Sequence, residues 1–288
     1  MRFAGVALVL VAGAGCRARP TPDESAAAAR IAAMADTTWP VSPLGAAARR
    51  GHALLAHTHD SLPQYAPSAL RCFNCHLDEG MRRNGLLLVG AFARYPQYRS
   101  RSGHMETITD RVNDCFKRSL NGQPLPVDGP DMHDIVTYLA WISRGIEVFD
   151  SVPGQGLPKL KPLPADTARG AALFAGTCAR CHGVDGTGMA AVPPLWGPRS
   201  FNIGAGMARL NTAAAFIRTN MPFDKPGSLT DQEAFDIASF VISHSRPDYP
   251  GKELDWPKGD PPPDVAYPTA AAAKRAAAVS RPTPTSAH

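Results

Sequence analysis

The sequence of 288 residues predicts an all-α protein made of two tandem domains that share one plan. Three observations predict this fold class. The pattern Cys-x-x-Cys-His occurs twice, as "CFNCH" at residues 72–76 and as "CARCH" at residues 178–182. Apolar residues recur at helical spacing in the segments that flank both copies. A stretch rich in proline and glycine, residues 151–166, lies between the copies and is expected to be a linker.

The repeated pattern is the one that attaches haem c. Its two thiols add to the vinyl groups of a haem, and the adjacent histidine binds the iron. A zinc ribbon and a thioredoxin-like dithiol also use paired cysteines. The two copies lie too far apart in sequence for one zinc site, however, and neither alternative explains a histidine after both pairs. The sequence therefore predicts two covalent haem c groups, whose attachment residues and proximal ligands are Cys72, Cys75 and His76, and Cys178, Cys181 and His182.

The N-terminus carries the features of an export signal. Arg2 precedes an apolar run from Phe3 to Ala12, and small residues follow it. The run is too short to span a bilayer. We expect residues 1–16 to be a lipoprotein signal peptide with a lipid on Cys16; the alternative is cleavage nearby that leaves a free thiol or removes the cysteine. Residues 17–45, rich in alanine, proline, threonine and aspartate, are expected to form a flexible tether.

The haem motifs and the net charge indicate where the protein acts and which partners it does not bind. Covalent haem attachment takes place outside the bacterial cytoplasm, so the haem motifs and the signal together predict a periplasmic protein, held at a membrane if Cys16 is lipidated. The net charge of +5 does not predict nucleic-acid binding, because much of the basic excess lies in the tails. Residues 251–288, rich in proline and alanine, are expected to form an extended, disordered tail.

The second domain is expected at residues 167–250. A short helix in "DTARGAALFAGT" precedes its haem motif and Met221 in "TNMPF" follows it. A closing helix is predicted in "LTDQEAFDIASFVISH", with Thr230 as its N-cap. This order resembles the small c-type cytochromes, in which a methionine followed by proline supplies the distal iron ligand. The resemblance implies that Met221 is the distal ligand of the second haem, with Met207 as the alternative.

The first domain, residues 46–150, repeats this order with one change. "AAARRGHALLAH" is its opening helix and "MHDIVTYLAWIS" its closing helix. Cys115 lies as far along the chain from His76 as Met221 lies from His182, so we expect Cys115 to be the distal ligand of the first haem. The alternatives are a cysteine that is merely a small buried hydrophobe, or a distal ligand supplied by His104, Met105 or Met132. The sequence thus predicts two tandem cytochrome c-like domains, each built around one covalent haem c.

A thiolate ligand would give the first haem a chemistry that the second lacks. Thiolate donates electron density and stabilises ferric iron, so the first haem is expected to have the lower reduction potential, and electrons should flow from it to the second. A thiolate is also a nucleophile toward sulfur. This combination favours an enzyme that acts on a sulfur oxyanion over a pure electron carrier.

Basic residues surround Cys115 in the sequence. If "DRVNDCFKRSL" is helical, Arg111 and Ser119 lie one turn before and after the thiol on the same face. The planar guanidinium of arginine suits the oxygens of a sulfonate group. For any single charge the alternative is a solvated basic face, which we prefer for Lys117 and Arg118.

Three segments carry a resemblance to a known family: "CHLDEG", "YPQYRSRSGHMETITDRVNDCFKRSLNGQPLP" and "RPDYPGKELDWPKGD". Together they resemble the dihaem thiosulfate dehydrogenases over roughly residues 45 to 265. The resemblance implies oxidation of two thiosulfates to tetrathionate at a His/Cys-ligated first haem, and the reverse reaction at the same site. It also implies electron exit through the second haem to a small periplasmic or membrane-bound acceptor such as a cytochrome c, and substrate binding by Arg101 and Arg111, with Ser119 beside them.

Two other functions compete with this interpretation. A non-enzymatic dihaem electron carrier would keep its function after replacement of Cys115 by methionine. A dihaem peroxidase would need an open histidine site and an acid for O–O cleavage, and no residue is singled out for either role. One departure from the family concerns Asn220: some relatives place lysine before the methionine, which permits a ligand change that Asn220 does not.

Overall fold

The computed structural model describes residues 39–150, 152–189 and 191–279, together with Ala29. The expected signal peptide, Cys16 and most of the expected tether lie outside the described residues. Helices dominate, which confirms the all-α prediction, and the described residues contain one small antiparallel hairpin in addition. None of the described helices combines the length and the apolar character needed to cross a membrane.

The first domain contains four α-helices and the hairpin. Helix α1 is Pro43–Ala56 and α2 is Thr58–Ser61; strand β1 is Gln97–Arg99 and β2 is His104–Glu106; helix α3 is Ile108–Asp114 and α4 is Pro130–Trp141. A π-helical turn, Cys115–Ser119, continues α3. Helix α1 starts earlier than predicted because Ser42 caps it, accepting a hydrogen bond from the Gly45 N–H, and Pro43 suits the first helical position.

The second domain also contains four α-helices. They are α5, Thr167–Leu173; α6, Ala179–His182; α7, Leu210–Asn220; and α8, Asp231–Ser243. A π-helical turn, Phe174–Cys178, joins α5 to α6. Thr230 caps α8 as predicted: it accepts from the Glu233 N–H, while the Glu233 side chain accepts from the Thr230 N–H. Residues 152–166, between the domains, form no helix or strand.

Each domain is held by the same crossing of its first and last long helices. In the first domain a Cβ on Gly51 of α1 would lie 2.0 Å from the carbonyl oxygen of Asp134 on α4, so only glycine permits this approach. In the second domain a Cβ on Gly170 of α5 would lie 2.0 Å from the carbonyl oxygen of Asp236 on α8. The arginine before each glycine pairs with the same aspartate, Arg50 with Asp134 and Arg169 with Asp236. The internal repeat is therefore structural as well as sequential.

The C-terminal segment differs from the expected disordered tail. Asp255, Trp256, Tyr267 and Thr269 are all buried. We call residues 247–269 the C-terminal strap; helix α9, Ala270–Val279, follows it. The strap is ordered because its two large aromatic side chains bury apolar surface and its Asp255 pairs with Arg118 of the first domain. The expectation that Arg118 belongs to a solvated basic face is therefore wrong, whereas Lys117 is partly exposed beside Asp114.

Five short 3₁₀ turns are also present in the described residues, one of them in the first haem motif and one in the strap. They are Cys72–Asn74, Asp78–Gly80, Phe92–Arg94, Gly206–Ala208 and Lys252–Leu254. The largest core cluster lies in the first domain around Phe116, Ile135 and Tyr138, and it takes in Phe201, Ala205 and Ala208 from the second. The two domains therefore share a continuous apolar contact beside the π-helical turn that begins at Cys115.

Candidate active site

The two motif histidines are arranged as iron ligands require. His76 Nδ1 lies 2.5 Å from the carbonyl oxygen of Leu86, and His182 Nδ1 lies 3.0 Å from that of Pro193. An Nδ1–H that donates to a carbonyl fixes the tautomer and leaves Nε2 for a metal. Burial lowers the pKa of His76 to about 4 and also lowers the pKa of His182. Both rings are therefore neutral at pH 7, which is the state that binds iron.

The four motif thiols are available for attachment. None of the cysteines in the described part of the chain forms a disulfide. Cys72 is held in place by Thr58, whose hydroxyl donates to Sγ at 3.4 Å and accepts from the Cys72 N–H at 3.2 Å. Free paired thiols next to a neutral, oriented histidine are the donor set that haem c uses, so the residues at both motifs fit this group.

Cys115 lies near the first haem motif. It is half-buried and begins the π-helical turn after α3. Burial raises the pKa of the Cys72 and Cys75 thiols to about 12, and negative charge on Cys115 adds to the effect at both. This effect of Cys115 on both thiols indicates that it lies near both attachment cysteines. The structure thus brings together the three sulfur atoms that the sequence assigns to one haem.

Arg111 is the cation next to this sulfur. It lies one turn before Cys115, whose backbone N–H bonds to the Arg111 carbonyl. Negative charge on Cys115 is the main cause that raises the pKa of Arg111, while burial opposes the rise. An arginine in a desolvated site attracts an anion more strongly than one in water, because the local dielectric is low. The pair can therefore hold an oxyanion beside a reactive sulfur.

Three neighbours of Arg111 were not found from the sequence. Burial raises the pKa of Tyr95, and the charges of Arg111 and Arg99 oppose it, so these three side chains are neighbours. Glu106 is 3% exposed, and its Oε2 lies 4.0 Å from Arg99 Nε without any hydrogen-bond partner among the described residues. The hairpin brings Arg99 and Glu106 together, because Arg99 lies on β1 and Glu106 lies on the paired strand β2. Its strands are too short to show a sequence periodicity, and only the intervening Gly103, with φ +77°, signals the turn.

Arg101 makes contacts of its own, and Ser119 lies in the turn that begins at Cys115. The Arg101 guanidinium lies 4.7 Å from the centre of the Trp256 ring, and its Nη1 donates to the carbonyl oxygen of Gly204 at 2.6 Å. Burial lowers the pKa of Arg101 to about 10, with Arg118 adding to the shift. Among the described residues no hydrogen bond or ion pair joins Arg101 to Cys115. Ser119 ends the π-helical turn and is half-buried.

The four alternative distal ligands lie in different surroundings. Met132 is fully buried in the core of the first domain, while Met105 is 57% exposed, beside the exposed His104 on β2. Met207 packs against the core cluster of the first domain. Met221 directly follows α7 and is half-buried. Its neighbour Asn220 is buried and donates to the carbonyl oxygen of Asn84 at 2.9 Å, which ties this end of α7 to the first domain.

Each half of the chain matches a known family of cytochrome c domains. Residues 64–148 match the family described as SoxA/TsdA, cytochrome c domain, and residues 165–241 match that described as cytochrome C oxidase, cbb3-type, subunit III. A thiosulfate dehydrogenase of Psychrobacter arcticus is 42% identical over 237 residues, which cover 80% of this chain and 72% of that protein. One from Allochromatium vinosum is 42% identical over 219 residues, covering 72% of this chain and 81% of that protein. The chain belongs to the thiosulfate dehydrogenase family.

A solved structure of the same family supports the fold. The chain is similar to thiosulfate dehydrogenase (TsdBA) from Marichromatium purpuratum, with a TM-score of 0.73 and 37% identity over 75% of this chain. It spans half the length of that solved chain. Two cytochrome c domains in tandem confirm the predicted fold class, and cytochrome c domains carry covalently attached haem c.

Proposed function

We propose that this chain is a dihaem cytochrome c that couples two molecules of thiosulfate into tetrathionate. The observation that carries the proposal is the placement of Cys115 beside Arg111 and beside both attachment cysteines of the first haem motif. Membership of the thiosulfate dehydrogenase family supports it. A sulfur nucleophile and a desolvated cation at one redox site suit an anionic sulfur substrate.

The residues that would hold each haem follow from the two sites. Cys72 and Cys75 attach the first haem, with His76 and Cys115 as iron ligands. The second is held by Cys178 and Cys181, with His182 and Met221 as iron ligands. When bound, haem c would supply one-electron redox chemistry, and two such groups would accept the two electrons that the oxidation of two thiosulfates releases. The acceptor that receives them from the protein would be a small periplasmic or membrane-bound electron carrier such as a cytochrome c.

The protein's contribution begins with binding and orienting a dianion. Arg111 donates hydrogen bonds to sulfonate oxygens of thiosulfate, and Arg101 and the Ser119 hydroxyl complete the oxyanion site. Thiosulfate held in this way presents its outer sulfur to Sγ of Cys115. Bringing a second dianion to the same place costs electrostatic energy, and the buried guanidinium groups offset that cost.

The bond changes at Cys115 balance in two steps. First, the Cys115 thiolate bonds to the outer sulfur of thiosulfate; two electrons are released and Cys115 becomes an S-thiosulfonate. Second, the outer sulfur of another thiosulfate attacks the sulfur bound to Cys115, which forms tetrathionate and restores the thiolate. No proton is gained or lost in either step. The reverse sequence, run with two electrons supplied, reduces tetrathionate at the same site.

We also infer that the protein acts in the periplasm, held to a membrane by a lipid on Cys16. The N-terminal apolar run and the covalent haem motifs support this location. Labelling of the expressed protein with a radioactive fatty acid tests the anchor: label should appear on the native chain and be absent from a Cys16→Ser variant.

A steady-state assay tests the proposed activity. The holoprotein is mixed with thiosulfate and ferricyanide, and both ferricyanide reduction and tetrathionate formation are measured. We expect one tetrathionate for every two ferricyanides reduced. A protein that carries both haems but gives no thiosulfate-dependent reduction would contradict the proposal.

Replacing Cys115 by methionine separates an enzyme from an electron carrier. A thioether still binds haem iron but cannot form the sulfur adduct, so the Cys115→Met variant should retain both haems and lose turnover by several orders of magnitude, on the order of a million-fold as for other covalent nucleophiles. Near-native rates with a strongly oxidising acceptor would favour the carrier.

A further inference from the structure

We propose that the C-terminal strap completes the substrate site of the first domain, and that Trp256 is a positioning residue for Arg101. The inference rests on the proposed function, in which Arg101 binds the sulfonate group of thiosulfate. It concerns a part of the chain that lies after both haem domains in sequence.

The strap contacts the hairpin that carries Arg99 and Arg101. Lys258 Nζ lies 4.7 Å from the centre of the Tyr98 ring on β1, and Arg101 lies at 4.7 Å over Trp256. A Cβ on Gly103 would lie 2.5 Å from Pro257 Cγ, so the strap and the hairpin turn are in close contact. Three consecutive strap residues therefore cover the segment from Tyr98 to Gly103.

Trp256 is held in a strained conformation at the centre of this contact. It is 2% exposed and has φ +52°, a left-handed conformation that is uncommon for a bulky residue. Its N–H donates to the Arg101 carbonyl oxygen at 2.8 Å, and its own carbonyl accepts from Gly259 at 2.8 Å. Strain of this kind persists where the surroundings fix it, and it is concentrated at functional sites.

Arg101 is fixed from three directions as a result. Its backbone carbonyl is bound by Trp256, its guanidinium lies over the Trp256 ring, and Nη1 donates to Gly204 of the second domain. A free arginine side chain loses rotamer freedom when it binds an anion, and that loss weakens binding. Since Arg101 is already held in one conformation, it should lose little rotamer freedom when it binds substrate.

The strap is anchored by a buried ion pair next to Cys115. Both oxygens of Asp255 accept from Arg118 at 2.8 Å, and the Tyr267 hydroxyl donates to the same carboxylate at 2.5 Å. Arg118 lies in the π-helical turn that begins at Cys115, and its guanidinium is 4.1 Å from the centre of the Tyr249 ring. The same strap therefore contacts both the hairpin with Arg101 and the turn with Cys115.

The second domain contributes to this turn as well. Asn202 donates through Nδ2 to the Lys117 carbonyl at 2.8 Å and through its N–H to the Arg118 carbonyl at 3.2 Å. A π-helical turn is a rare conformation, often found at functional sites, and these two hydrogen bonds brace it from the second domain. The first domain alone therefore lacks contacts that hold both Arg101 and the Cys115 turn, and the strap and second domain supply them.

The test replaces Trp256 in the holoprotein and measures KM and kcat for thiosulfate with ferricyanide. In Trp256→Leu the aromatic face is lost, and we expect KM to rise roughly tenfold, the size of a desolvated cation–π contact, with kcat within about twofold of native. Trp256→Phe keeps a smaller aromatic face and should raise KM by about threefold. Asp231→Asn breaks a partly exposed ion pair with Arg218 in the second domain, outside the strap, and should leave both constants unchanged.

The outcomes are distinguishable. The inference is supported if KM is lowest in the native protein, higher in Trp256→Phe and highest in Trp256→Leu, while kcat and haem content stay native. Unchanged KM in both variants overturns it while leaving the proposed function intact. Loss of kcat together with haem content in both variants means that Trp256 is merely structural, which also overturns it. If the leucine variant fails to fold, the phenylalanine variant decides. A native protein that does not oxidise thiosulfate removes the proposed function and this inference with it.

Discussion

At Cys115, a single side chain is assigned two roles that depend on the same sulfur atom. Its position near Cys72 and Cys75 suits an iron ligand, and its position beside Arg111 suits a nucleophile that meets an anion. The two roles are compatible because a thiolate both donates electron density and attacks sulfur. In the proposed mechanism Arg111 links them, because its guanidinium would stabilise negative charge on both Cys115 and the substrate.

Replacing Arg111 by glutamine should impair catalysis far more than folding. We expect kcat/KM for thiosulfate to fall by about 100- to 1000-fold, the usual loss when one buried donor to a developing charge is removed. Steady-state kinetics of the holoprotein measure the change. Lys117→Gln, which removes a partly exposed cation in the next turn, is the matched control and should remain close to native. Equal losses in the two variants would mean that general positive charge, not Arg111, binds the substrate.

At this scale the sequence predicts the residues whose chemistry is local. The two haem motifs, Cys115 and Arg111 could be proposed from the sequence because their expected roles follow from spacing along one segment. Glu106 and Arg99 are missed because a short hairpin joins them, and Arg118 is misassigned because its partner Asp255 lies far along the chain. Long-range pairing of this kind leaves no periodicity in the sequence.

At the scale of elements, the helix crossing in each domain depends on one glycine. Gly170→Ala would place a methyl group 2.0 Å from the Asp236 carbonyl oxygen, so α5 and α8 must move apart. We expect a loss of about 1–3 kcal/mol in the free energy of unfolding, measured by guanidinium titration with circular dichroism. Gly206→Ala, where an added Cβ meets nothing within 4 Å, should leave stability almost unchanged. Equal stability of the two variants would contradict the crossing described above.

The same crossing gives the second domain an acid-sensitive contact. Burial raises the pKa of Asp236, but hydrogen bonds from Arg169, the Asp166 N–H and Gln232 outweigh it and hold that pKa below its ordinary value. A lowered carboxyl pKa stabilises the fold above the unfolded value of about 3.9, and this contribution is lost as pH falls further. Asp236→Asn should therefore flatten the fall in Tm between about pH 5 and pH 3.

Thermal unfolding followed by circular dichroism across this pH range measures the Asp236 effect. Ser239→Ala is the control, because it removes a hydrogen bond to Thr167 from the same helix without removing a titratable group. It should lower Tm equally at all pH values and keep the native slope. A native slope in Asp236→Asn would show that other carboxyl groups govern acid unfolding.

Helix caps and apolar spacing predict most elements, but not where α3 changes to a π-helical turn. Thr107 and Asp110 form a capping box that fixes the start of α3. The turn that begins at Cys115 is contacted by Asn202 of the second domain, which donates hydrogen bonds to the Lys117 and Arg118 carbonyls. Such a contact is tertiary, so propensities along the segment do not predict it.

At the scale of the whole molecule, the strap joins parts that the sequence presents as separate. Proline-rich composition predicts disorder for residues 251–288, yet two aromatic side chains and one carboxylate order residues 251–269. Composition averages over a segment, whereas a few buried anchors are enough to hold it. The two-domain plan itself was predicted correctly, because each domain carries its own motif, caps and helix crossing.

Removing the charge of Asp255 tests the strap as a structural element. Asp255→Asn removes the carboxylate that binds both Arg118 nitrogens and leaves buried Arg118 only the longer ion pair to Asp114. Breaking a buried pair costs up to about 3–5 kcal/mol. We expect a clear fall in the free energy of unfolding, measured by guanidinium titration. Asp248→Asn, in the exposed part of the strap, should cost less than about 1 kcal/mol. An Asp255→Asn variant as stable as the native protein would mean that the strap is not anchored there.

Cys115 is expected to bond covalently to substrate sulfur, and peptide mass spectrometry after incubation with tetrathionate detects that bond. In the tetrathionate-reducing direction the Cys115 thiolate attacks tetrathionate, so the peptide containing Cys115 should gain the mass of one S₂O₃ unit, or of a single sulfur atom if the sulfonate is lost. Peptides containing Cys72 or Cys178 should gain neither, because their sulfur atoms are committed to haem. An unmodified Cys115 peptide, from protein that turns over tetrathionate in the same preparation, would contradict the account.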